Sequence, residues 1–113
     1  MECNRRKPTI NQGLHAIINV SGGNYLAGKD YTCTLYASVN DKEHRASVTA
    51  QAQEVGGKVV VSFDFSPEQT MQLRRGNCIL EIYDPVTLKE MAYQDDFAIV
   101  RPNSVSSVWN QQA

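Results

Sequence analysis

Apolar residues recur at every second position through most of this chain, and a period of two predicts strands. Tyr31, Cys33, Leu35, Ala37 and Val39 alternate with Thr32, Thr34, Tyr36 and Ser38. Asp30 to Val39 is therefore expected to be a strand with one buried and one wet face. Leu14, Ala16, Ile18 and Val20 mark a strand over residues 13–20 that stops at the turn signal Ser21-Gly22-Gly23-Asn24. Val59, Val61, Phe63 and Phe65 mark another over 57–65, and Cys78, Leu80 and Ile82 a third over 77–84. From Leu88 to Val100 the apolar positions Met91, Tyr93, Phe97 and Ile99 are interrupted by Gln94-Asp95-Asp96, which fits either a bulge or a loop between two short strands. Arg45 to Gln53 sets Ala46, Val48, Ala50 and Ala52 opposite Ser47, Thr49, Gln51 and Gln53. Ala and Gln favour helix, but the two-residue period and the following Val55-Gly56-Gly57 favour a strand in a hairpin with the Val59 strand.

One segment breaks the period. Ser66-Pro67-Glu68-Gln69 has the form of a helix start: Ser66 is a good N-cap, Gln69 completes a capping box, and Pro67 falls at the first helical position. Arg74 and Arg75 would lie at the negative end of the dipole and Gly76 would end the helix, so a short helix is expected over about residues 67–74. It is too short to stand without strands on both sides. Six to seven strands and one corner helix predict an all-β, immunoglobulin-like β-sandwich. Leu35, Val59, Val61, Phe63, Leu73, Leu80, Ile82 and Phe97 are its expected core.

A length of 113 residues suits one domain. The expected division is an extended arm over 1–12, the sandwich over 13–101 and a polar tail over 102–113. A formal net charge of -1 gives no field that would draw nucleic acid, and no apolar run is long enough to span a membrane. The charged start, Arg5-Arg6-Lys7, has no apolar stretch behind it, so no secretion signal is expected. Both ends lack a periodic apolar face, yet the tail keeps Trp109; Arg5, Arg6 and Trp109 are the candidate partner-binding residues.

Chemistry is sparsely signalled. Cys3, Cys33 and Cys78 lack metal-site spacing; Cys33 and Cys78 are expected in the core, free or bridged, and Cys3 exposed. His15, on an outer strand face, and His44, in a polar loop, have no ligand cluster near them in sequence. Asp95 and Asp96 would point to opposite faces of a strand, and no nucleophile elbow or phosphate loop is present. No enzyme and no cofactor are expected. Tyr25, Tyr36, Tyr83 and Trp109, taken as exposed, leave a carbohydrate- or host-surface-binding module as an alternative function.

The segment Phe63-x-Phe65-Ser66-Pro67-Glu68-Gln69-Thr70-x-x-Leu73-x-x-Gly76-x-Cys78-x-x-Glu81-Ile82 resembles part of the small immunoglobulin-like structural proteins of tailed bacteriophages. In those, a strand leads through a Ser-x-x-x-Thr-x-x-Leu-x-x-Gly helix-turn to a strand ending Glu-Ile, and Gly28-Lys29-Asp30-Tyr31-x-Cys33-x-Leu35 is similar to their strand entry. Cys78 stands where their pattern places Tyr, so the hydroxyl tie of a tyrosine corner is missing. The resemblance covers about residues 25–100. It implies a non-enzymatic virion protein, a capsid decoration, neck, head-fibre or tail accessory, whose partners are other virion proteins and further copies of itself.

Overall fold

A computed structural model describes residues 7–102. Their order is β1 (Thr9–Asn11), β2 (Ala16–Ser21), β3 (Asp30–Tyr36), β4 (Arg45–Gln51), β5 (Gln53–Val55), β6 (Lys58–Phe65), α1 (Pro67–Met71), β7 (Gly76–Tyr83) and β8 (Glu90–Arg101). A five-stranded sheet, β1-β8-β7-β3-β4, faces a three-stranded sheet, β2-β6-β5. This is the expected all-β sandwich with one short helix. All pairings are antiparallel except β1 with β8.

The core lies between the sheets. Tyr31, Cys33, Leu35, Val61, Phe63, Phe65, Leu73, Leu80 and Ile82 are buried together, while Val59 and Phe97, expected there too, are half-buried and pack on its rim. Ile18 is buried as expected, but Leu14 lies outside β2 and is exposed.

Several expectations are corrected by long-range pairing. The arm expected over residues 1–12 contains β1, in which Ile10 is buried as Thr9–Asn11 pairs with Ile99–Arg101. The segment expected to form a hairpin with the Val59 strand divides at Ala52. Its first part, β4, pairs with β3, and β5 alone forms the hairpin with β6. The chain thus passes from one sheet to the other at Ala52, which is fully buried. Gly56 and Gly57 turn that hairpin with φ of 58° and 83°, as a tight turn following the strand twist requires.

β3 has no wet face. It is a central strand, and its outer residues Thr32, Thr34 and Tyr36 are covered by side chains of β4 and β7. The Thr32 and Thr49 hydroxyls bond at 2.8 Å, those of Thr34 and Ser47 at 2.7 Å, and the Arg45 guanidinium lies 4.8 Å from the Tyr36 ring centre. The interruption in β8 is a bulge, in which Asp95, Asp96 and Phe97 oppose Ile79 alone. The two added residues keep the inward phase: Ala92 opposite Ile82 is half-buried, Ala98 opposite Cys78 and Val100 beyond it are buried, and Tyr93 between the inward positions is half exposed.

α1 starts as expected. Ser66 Oγ accepts from the Gln69 amide at 3.2 Å and Gln69 Oε1 from the Ser66 amide at 2.9 Å. It ends earlier, with Gln72 as C-cap, so Arg74 and Arg75 lie beyond the helix instead of in its last turn. The early end lets Leu73 turn into the core.

Candidate functional site

Three strands cannot cover five, and the mismatch leaves a groove along one seam of the sandwich. Its wall is β2, the edge strand of the smaller sheet, contributing Ala16, Ile18 and Val20. Its floor is Leu80 and Ile82 of β7 with Ala92 and Phe97 of β8, and β1 forms the far rim with Thr9 and Ile10. The volume is about 550 Å³. Leu14 stands at one end, 47% exposed, and Ile17 faces solvent on the β2 edge at 61%.

β2 itself, Ala-Ile-Ile-Asn-Val-Ser, is uncharged and rich in β-branched residues. It carries neither the lysine nor the proline by which edge strands are commonly blunted. The other edges differ. β1 and β5 are three residues long, and β4 has its Ser47 carbonyl occupied by the Gln69 side-chain amide at 3.0 Å. The described residues therefore hold one long, uncharged, apolar-backed strand edge.

The groove lining also includes the polar side chains of His15 and Gln94; His15 and the polar groups outside the groove are engaged in structure. His15 Nδ1 lies 3.0 Å from Asp64, and His44 Nδ1 lies 2.9 Å from Asp41. Asp41 also accepts from the His44 amide and pairs with Arg74 at 3.1 Å, and its pKa is lowered chiefly by the His44 side-chain hydrogen bond. Arg74, assigned from sequence to the helix dipole, instead braces the loop before β4. Asp84, nearly fully buried, pairs with Lys29 at 2.6 Å and accepts from the Val86 amide at 2.9 Å. Asp95 and Asp96 sit in the bulge; the Asn77 side chain holds the Asp95 carbonyl, and Lys7 pairs with Asp96. Among the described residues no group of three or more His, Cys, Asp or Glu is placed to hold a metal ion.

No known family model, curated protein or solved structure matches this chain.

Cys33 and Cys78 are buried and free, and both lie in the five-stranded sheet instead of facing each other across the sandwich. Burial pushes the Cys33 thiol up to about 12 and the Cys78 thiol to about 11, which leaves both inert as nucleophiles. Of the tyrosines taken as exposed, Tyr25 packs edge-on against Tyr31 at 5.0 Å, Tyr36 is buried and Tyr83 is half-buried. Tyr25 and Tyr36 are thereby withdrawn from an aromatic platform for sugar stacking. Arg5, Arg6, Trp109 and Cys3 lie outside the described residues. The groove was missed in the sequence because it is made by an imbalance in strand number, which no local pattern records.

Proposed function

We propose that this is a non-enzymatic structural protein of a bacteriophage virion, an accessory of the capsid, neck, head fibre or tail that works through protein contacts in a symmetric assembly. The supporting observation is the corner from Phe63 to Ile82. The segment that carries the phage resemblance forms a strand, a capped helix and a strand, with Thr70 and Leu73 buried at the turn. The open β2 edge and its apolar groove add a surface suited to a protein partner. The test is quantitative mass spectrometry of particles purified from a host that carries the gene. Many copies per particle are expected. Protein found in the lysate but missing from washed particles would overturn the proposal.

A further inference from the structure

We infer that the β2 groove receives the C-terminal segment, residues 103–113, of a second copy of this chain. The inference rests on the assembly role proposed above and names its contact. The acceptor is specified by the described residues: a six-residue uncharged edge, Ala16–Ser21, beside a groove floored by Leu80, Ile82 and Phe97. An extended peptide adds to such an edge through main-chain hydrogen bonds, while alternate side chains enter the groove.

The donor matches by chemistry and length. Residues 103–113, Asn-Ser-Val-Ser-Ser-Val-Trp-Asn-Gln-Gln-Ala, carry no charged side chain, so none has to be desolvated in an apolar groove. Val105, Ser107 and Trp109 would share one face of a strand, and Trp109 supplies a large apolar surface. Eleven residues extend to about 36 Å at full reach, against roughly 20 Å for a six-residue edge.

Direction decides between the chain's own tail and a neighbour's. β8 delivers the chain to Arg101 beside Asn11, and the Gln12 amide bonds the Arg101 carbonyl at 2.9 Å. This is the end of the sandwich at which β2 begins. A tail returning along its own groove would run parallel to β2, whereas the β2-β6-β5 sheet is antiparallel throughout and parallel pairing is less stable per residue. A neighbour's tail enters from the Ser21 end and runs antiparallel. Donor and acceptor are different surfaces, so the contact is head-to-tail and builds rings or open arrays, the geometry a symmetric shell or tube requires.

Trp109 is the sole tryptophan, so its fluorescence reports the tail alone. Dilute wild-type protein is titrated with an excess of the full-length Trp109→Ala variant, which is dark but keeps an intact groove. A blue shift of the wild-type emission, with a matching rise in sedimentation coefficient, is expected. The same titration with Trp109→Ala protein that also carries Val20→Lys, or Leu14→Lys at the exposed mouth, should lose the shift. The Leu14 variant keeps the test readable if the half-buried Val20 change disturbs folding, which circular dichroism reports. Emission already blue at all dilutions and unmoved by the titrant would place the tail on its own chain and overturn the inference. A red emission throughout, or a shift that survives both groove variants, would overturn it as well. Because the experiment is done on purified protein, its failure is separate from absence from particles.

Discussion

Thr70 shows how much one side chain can hold. It is fully buried, and its hydroxyl accepts from the Gly13 amide at 3.0 Å while lying 2.8 Å from the Leu14 carbonyl and 3.1 Å from that of Pro67. The helix is thereby fastened to the turn that launches β2. Thr70→Val keeps the shape but leaves buried polar groups unpaired, and is expected to cost roughly 1 to 3 kcal/mol in a denaturant melt. Asp84 holds the loop after β7. The Lys29 hydrogen bond, then the Val86 amide, keep its carboxyl down at about 2. With an unfolded value of about 3.9, the stability it adds is complete above that pH and is lost as pH falls through about 2. Asp84→Asn should therefore flatten the fall in melting temperature between about pH 4 and pH 2; an equally steep fall in both proteins would deny Asp84 this role. Neither part was legible in the sequence. Thr70 was a unit of a motif and Asp84 the last residue of an expected strand, because their partners lie far along the chain or depend on a loop's detailed path.

At the scale of elements, local chemistry was the better guide. The start of α1 was legible because Ser66, Pro67 and Gln69 satisfy its free amides among themselves, with no help from the rest of the fold. Ser66→Ala is expected to cost about 1 kcal/mol, seen as a lower urea midpoint at unchanged slope. The end of the helix was misplaced, since the core's demand for Leu73 outweighs the favourable placement of two arginines near a helix terminus. The inward faces of β6 and β7 were legible from alternation alone. β1 was not, because three residues show no period and their partner strand lies at the other end of the sequence. β8 was half legible: the interruption was visible at Gln94-Asp95-Asp96, but the bulge of three residues against one keeps the phase, and the strand turns its small Ala92 and Ala98 with Val100 inward where the larger Tyr93 and Ile99 had drawn the eye.

For the whole molecule, the two-layer arrangement followed from strand count and turn spacing, whereas the open seam depended on how strands were shared between the layers. That sharing also fixes how the domain responds to tension. Thr9 pairs with Ile99 and Asn11 with Arg101, and the ladder is prolonged by the Ile99 amide on the Pro8 carbonyl at 3.0 Å and the Gln12 amide on the Arg101 carbonyl. The strands are parallel, so force applied through the two ends of the chain leaves this ladder at opposite ends and loads its bonds together, in shear. β3 and β4, gripped at Asp30 and Gln51, would instead unzip one bond at a time. Single-molecule stretching from the two ends should thus require the larger force, and a lower or equal one would mean that the β1–β8 ladder is not the clamp.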